Sequence, residues 1–576
     1  MATRSYWTRI RRGRITRRRL IGTAGVGAAG LAVAAACGGG GGGTDADGTP
    51  AVSGTPAGTP VSGGRYQTKS SASFDTIDPH ASIAATSYFA RIYNVLVKQS
   101  ARDSEFIFND LAESFEVPDE GGTEWIFTIR PGVKIAPNDL GVPERDIDAE
   151  DARVTYDRIR HGGEEGGPLP NANSCAFVCN WLDSDEVPDP LTYIWRTPKP
   201  YAWFLLQIGG TQFWQSVVPR ELIQQDPDRL KSSGVGGGPF SVVGFAEGEF
   251  LTMDANPNYY RTDPDNDNAQ LPYIDGWDVT VVPDRTAIRT AFLSKQAYGY
   301  TAANSEEADE LLAQYDIYAG ARNPVFSFIS FAMNVERSPW DIPEIRKAAM
   351  YAINRQEYVE KVYLGDAQVN GLVHWPVGSY ALPPEELEQL QPYDPERSKQ
   401  LIRDAGFDLP LEIEVVFPTP GFIEGDKHLP IFLKQMEDAG FKVIQKPMTL
   451  GEWIVFFRER KHGATLNPNL AYETPEFPLD FQHSNGPFGN GELSIGLNDP
   501  EIDAAIDATK EITDSEELVT AIHEVQRDIY AKGPAVLPFV SPFTRTLYWN
   551  FVKNFPTTRG TADLLLNNWW LDGAPS

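Results

Sequence analysis

The stretch "DIPEIRKAAMYAINRQEYVEKVYLG", Asp341 to Gly365, reads as one amphipathic helix. Asp341 and Pro343 mark its start: a short acid caps, and a proline in the first turn lacks only an N–H that would be unbonded anyway. Ile345, Ala349 and Ala352 recur at three- and four-residue spacing and face inward. Gly365 supplies the stop. Upstream, "TEWIFTIRPGVKI" sets Trp125, Phe127 and Ile129 on one face at period two, then turns at Pro131 and Gly132. "DIDAEDARVTYDRIR" returns to helical period, with Asp148 as cap and Ala152, Tyr156 and Ile159 as its apolar stripe. "LTYIWRTPKP" and "GWDVTVVPD" alternate as strands, the second with Trp277, Val279 and Val281 on one face. "YDPERSKQLIRDAGF" has Asp394 as cap, Pro395 in the first turn and Gly406 as terminator, and the strand "LEIEVVF" follows. Strand and helix signals alternate without internal repeat, which is an α/β pattern.

The N-terminus reads differently. Arg9 to Cys37, "RIRRGRITRRRLIGTAGVGAAGLAVAAAC", runs from arginines into an uncharged Leu20–Ala36 segment and ends in small residues. That order is the signature of an export signal, and the Gly/Ala-rich segment is a poor bilayer-spanning helix. Thr16 to Ile21, "TRRRLI", resembles a twin-arginine motif. "VAAAC" resembles a lipobox, in which the thiol of Cys37 is acylated and becomes the first residue. Residues 38–64 are Gly/Thr/Pro/Ser-rich and form a tether with a root-mean-square reach of about 29 Å. The chain carries 50 basic and 79 acidic residues, a net charge of −29. The first 37 residues hold eight Arg and no acid, so their removal leaves 42 basic and 79 acidic residues, or −37. Such a balance excludes a nucleic-acid partner.

Besides Cys37 there are two cysteines, Cys175 and Cys179, in "NSCAFVCN". Outside the cytoplasm they suit a disulfide; a reduced pair stays open, and a metal site lacks a third ligand nearby. The seven His are scattered and no pair has metal-ligand spacing. There is no G-x-S-x-G, no H-E-x-x-H, and "GVGGGPF" (Gly234 to Phe240) lacks the Lys-Ser/Thr of a phosphate loop. Sequence signals for an enzyme, a cofactor or a metal are absent.

Taken in order, "TIDPHAS" (Thr76 to Ser82), "LAESFEVPDEGGTEWIFTIRPGVKI", "DAEDARVTYDRI", "VGGGPFSVVGFAEGEFLTMDANPNYYR", "FAMNVERSPWDIPEIRKAAMYAINRQEYVEKVYLGDA" and "YDPERSKQLIRDAGF" resemble the extracytoplasmic solute-binding proteins of family 5, which serve peptide-type ABC importers. The resemblance implies a two-lobed fold of the periplasmic-binding-protein type (type II, peptide-binding class) with an extra subdomain and a hinged ligand cleft. By position, residues 65–98, 215–324 and 535–576 are expected in the first lobe, 99–214 in the extra subdomain and 325–534 in the second lobe. The implied partners are a small solute, a peptide first of all, the permease and ATPase subunits, and the membrane through the lipid anchor. In peptide-carrying relatives an acid receives the ligand's α-amino group; the matching segment here is "LAYETPEFPLDF", which singles out Glu473 and then Asp480. Trp375 in "GLVHWPVGSY", Tyr88 in "TSYFARIYN", and Phe331 and Asn334 in "FAMNVE" complete the candidates for solute contact. An oligosaccharide, an opine-like compound or a nickel complex stays open as solute. A secreted hydrolase and a non-binding structural lipoprotein are the rival classes.

Overall fold

The computed structural model describes residues 58–574 apart from 73, 75, 83–85, 100–106, 120, 164–165, 168, 170–171, 210–213, 265, 325–326, 419–424, 471–473, 487–494 and 556–567. The signal, Cys37 and most of the tether lie outside the described residues, as does Glu473.

Among the described residues, four sheets of four or five strands organise the fold. In the first, Arg65–Ser70 runs parallel to Gly276–Val281, which pairs antiparallel with Phe250–Ala255, and that with Phe240–Ala246. Strands about two hundred residues apart in sequence thus lie side by side. The glycines of "GVGGGPF" serve this packing. A Cβ on Gly238 would fall 2.6 Å from the Ile92 carbonyl carbon, and one on Gly236 would fall 2.6 Å from the Ile92 oxygen. Only glycine lets these backbones approach so closely.

The second sheet is antiparallel, in the order Ala112–Glu116, Glu124–Ile129, Thr192–Arg196, Ser184–Asp189. Its inner face is aromatic because the period-two pattern puts Trp125, Phe127, Tyr193 and Trp195 there, all fully buried. Trp125 stacks on Phe204 with ring centroids 4.2 Å apart. The helix Ala149–His161 covers this sheet with the expected stripe, and Asp148 caps it by accepting from the Glu150 N–H at 3.0 Å. Within Ala172–Trp181, Cys175 and Cys179 are joined as a disulfide, Cα atoms 4.9 Å apart.

The third sheet is mixed, in the order Phe441–Met448, Leu411–Pro418, Ala464–Leu470, Ser327–Met333, Val536–Pro538. The helices Pro343–Ala352 and Pro395–Asp404 pack on one another beside it. The stretch Asp341–Gly365 is not one helix but two. Pro343–Ala352 starts after Ile342, not at a capping Asp341, and gives way at Ile353. Asn354 then caps Arg355–Lys361, accepting from the Glu357 N–H at 3.3 Å. The pattern N-x-x-E at 354–357 is itself a helix-start signal, and it overrode the continuing apolar period.

The fourth sheet joins Gly299–Thr301, Val540–Trp549 and Ile317–Pro324, with Ala367–Val369 on the first residues of Val540–Trp549. Ile317–Pro324 in this sheet precedes Ser327–Met333 in the third. Val536–Pro538 in the third precedes Val540–Trp549 in the fourth. The chain therefore passes twice between the two sheets. The second passage falls at Phe539, whose N–H bonds Ile329 O at 3.0 Å.

Candidate solute cleft

The segment "ETPEFPLDF" places two prolines within four residues, too many for a long helix. It forms only the short helix Glu476–Asp480, and Glu476, Pro478 and Leu479 are buried. The Glu476 carboxylate accepts hydrogen bonds from Tyr201 Oη and, at 2.9 Å, from Gln207 Nε2. Both donors come from the end of the region that holds the second sheet. That region docks here by other contacts too. The Ala202 N–H donates to Lys510 O at 2.7 Å, and Lys199 Nζ lies 2.7 Å from Glu511 Oε1. Trp181 stacks on Tyr201 at 3.7 Å, which holds the phenol in place. Trp203 meets Tyr380 edge-on at 5.2 Å.

Behind Glu476 the acids continue. Asp480 Oδ1 lies 3.1 Å from Lys510 Nζ, which also reaches Asp507 Oδ1 at 3.1 Å. His483 Nε2 is 3.4 Å from Asp507 Oδ2. Burial, then the Asp480 charge, pushes the Glu476 carboxyl up to about 7. Burial likewise raises Asp480, against the pull of Lys510. Burial works to lower the Lys510 ammonium, but Asp480 and Glu476 outweigh it and hold the group above the usual lysine range. The cluster carries more acids than bases and is shielded from water at Glu476, with Asp507 half-exposed at its edge, so it favours a proton or a cationic group over an anion. Among the described residues no group of three His, Cys, Asp or Glu has the geometry to hold a metal ion.

The other candidates from the sequence separate. Phe331 is fully buried and packs on Trp340 and Phe432, centroids 5.6 and 5.1 Å away, so it has no face for a solute. Asn334 is also fully buried: its amide donates to His462 O at 3.0 Å and its oxygen accepts from the Glu336 N–H at 3.1 Å. Phe331 lies in the third sheet and Asn334 just past its strand Ser327–Met333, and both are structural residues. Tyr88 is buried beside Phe74, ring centroids 5.9 Å apart. Asp480 is engaged by Lys510. Trp375 is half-buried, its ring 5.0 Å from Phe543 of the strand Val540–Trp549, and its indole N–H has no acceptor among the described residues. Tyr201, Gln207 and Lys510 were not singled out from sequence. No local pattern marks them, since each meets Glu476 or Asp480 only through the fold.

Residues 107–478 match the family described as bacterial extracellular solute-binding proteins, family 5. Heme-binding protein A of Haemophilus influenzae is 25% identical over 486 residues, covering 79% of this chain and 83% of its own. Di/tripeptide-binding protein 2 of Pseudomonas aeruginosa is 22% identical over 463 residues, covering 78% and 84%. Among solved structures, the periplasmic binding protein DppA from Helicobacter pylori in complex with peptide STSA superposes with a TM-score of 0.72 at 19% identity, over 89% of this chain and 99% of that one. The fold is that of the two-lobed periplasmic binding proteins, and this chain belongs to the bacterial extracellular solute-binding proteins of family 5.

Proposed function

We propose that this chain is the lipid-anchored receptor of an ABC importer, and that the solute it captures outside the membrane is a peptide. The observation that carries the reading is the net-acidic cluster of Glu476, Asp480, Asp507 and Lys510, in which Glu476 is buried, Asp507 is half-exposed, and Glu476 and Asp480 follow Glu473 closely in sequence. An α-amino group entering there meets carboxylates already removed from water, where a charge-assisted contact is strongest. Glu473 is the residue we assign to receive it. The relative named a di/tripeptide-binding protein and the complex with peptide STSA support the same class. Export by the twin-arginine route and acylation at Cys37 belong to this proposal, and they keep the receptor at the cell surface. Among the described residues no helix is long and apolar enough to cross a membrane.

A second reading keeps the transport role and exchanges the peptide for a ring-bearing solute. It rests on Trp375, whose half-buried indole is backed by Phe543 and has an N–H to spare. One experiment separates the two. The chain is unfolded and refolded to strip carried-over solute, then melted in the presence of di- and oligopeptides, oligosaccharides, mannopinic acid or haem. A ligand at one hundred times its dissociation constant adds about 2.7 kcal/mol. A rise in melting temperature with peptides that Glu473→Ala removes supports the first reading. A rise with a ring-bearing solute alone, removed by Trp375→Ala, replaces it with the second.

A further inference from the structure

The region of the second sheet packs chiefly on itself. Its strands lean on one another and on the helices Ala149–His161 and Ala172–Trp181, and among the described residues none of these packs broadly on a strand or helix of the third-sheet region. The segment Lys199–Gln207 nevertheless reaches across to the helices Glu476–Asp480 and Pro500–Glu511. Tyr201 Oη and Gln207 Nε2 donate to the same carboxyl oxygen of Glu476, Oε2. The Ala202 N–H donates to Lys510 O beside them, and Lys199 pairs with Glu511 at the edge.

Tyr201 is 1% exposed and Glu476 8%, so their hydrogen bond lies out of water. The phenol is held from its own side by the Trp181 ring, whatever Glu476 does. The donor is therefore in place before the carboxyl arrives. Two regions joined through so narrow a segment can part without opening either core. Parting exchanges the two donors of Glu476 for water.

We propose that Tyr201 and Gln207 are positioning residues of the solute cleft, which latch onto Glu476 when the cleft closes and release it when the cleft opens. The proposal rests on the reading of the chain as a hinged solute receptor. The latch is linked to a proton. Glu476 faces Asp480 on its own helix, Lys510 on Pro500–Glu511 and Tyr201 from the second-sheet region. Behind these lie Asp507, which meets Lys510 and His483, and Asp503, 3.9 Å from His483. In the closed form burial, then Asp480, holds the Glu476 carboxyl up to about 7, whereas in water it returns toward 4.5. Closing takes up a proton between these values. The closed form is favoured as pH falls through about 7 and loses that advantage as pH rises.

Small-angle X-ray scattering of the refolded, solute-free chain reads closure whatever the solute is. The parent is expected to be more compact at pH 5.5 than at pH 8. Glu476→Gln, uncharged at both, should stay compact at pH 8. Tyr201→Phe keeps the ring on Trp181, removes the donor, and should be more open at both; Gln207→Leu takes its place if Tyr201→Phe does not fold. Trialanine then tests the loaded cleft. It should leave Tyr201→Phe at least threefold faster than the parent, and leave the parent faster at pH 8 than at pH 5.5. Equal radii of gyration for the parent and both donor variants overturn the latch, and so does a pH response that Glu476→Gln retains in full. Compaction that follows Glu476 in a chain that binds no trialanine upholds the latch and removes the peptide from the proposed function.

Discussion

Glu476 and His462 show how position sets the behaviour of a single side chain. The Glu476 carboxyl keeps its proton to about pH 7 in the folded chain, against an ordinary 4.5, because it is buried beside Asp480. The folded state therefore binds the proton more tightly than the unfolded one. The stability this group contributes is full below about 4.5 and is lost as pH rises through about 7. Glu476→Gln can keep an oxygen for Tyr201 and removes the titration. It should show a flatter melting temperature from pH 5 to 8 and melt above the parent at pH 8; a parent–variant difference that stays constant with pH would disprove this account. His462 has the opposite sign. It is fully buried, stacks on Phe457 at 4.1 Å, and neither ring nitrogen has a partner among the described residues. Burial, then Arg337, pushes it down to about 4. Its neutral form fits the fold, so its contribution is full above 6.5 and is lost as pH falls through about 4. His462→Phe keeps the stacked ring and removes two unpaired polar atoms, which cost about 1–3 kcal/mol when left unsatisfied. Urea midpoints at pH 7 and pH 5 should both rise, more at pH 5; a fall at both would show that the ring nitrogens stabilise the fold.

At the scale of elements, local signals were read well where one rule acted alone. Asp148 and Asp394 cap the helices expected of them, and Gly406 adopts the positive φ of 87° that ends the second. Asp341–Gly365 was misread because two rules competed there, and the Asn354 cap overrode the apolar period. "TIDPHAS" gains its meaning from a partner element. Asp78 accepts from both terminal nitrogens of Arg158 on the helix Ala149–His161, at 3.0 and 2.5 Å, and His80 Nε2 lies 2.8 Å from Ser216 O. The Cys175–Cys179 bond acts within one helix, over four residues. So small a loop restricts the unfolded chain little, by about 2 kcal/mol in the chain-entropy account. The double variant Cys175→Ser/Cys179→Ser should lose no more than that in urea unfolding. If both thiols of the denatured, unreduced parent react with a maleimide, the bond is not formed in the protein.

At the scale of the whole molecule, the two passages between the lobes and the N-terminal leader address different questions. The passages are two crossings of the chain between sheets; in the proposed function they are the axis of closure over the solute, and the leader decides where that closure takes place. Cys37→Ser should shift the protein from the membrane fraction to the soluble fraction after cell disruption. Retention at the parent's level would remove the lipid anchor from the proposal.

What the sequence by itself determined is what depends on near neighbours along the chain. The α/β alternation, the capped helices and the aromatic face of the Trp125 strand follow from side-chain period and backbone preference. The proposed export signal and tether rest on composition. Only the tertiary structure decided which distant groups meet. Tyr201 reaches Glu476 across 275 residues, and Arg355 reaches Pro538 across 183. The raised Glu476 carboxyl and the lowered Arg355 guanidinium are set by where the fold buries them. Loss of water and the charge of a remote neighbour set them, and neither leaves a periodic mark in the sequence.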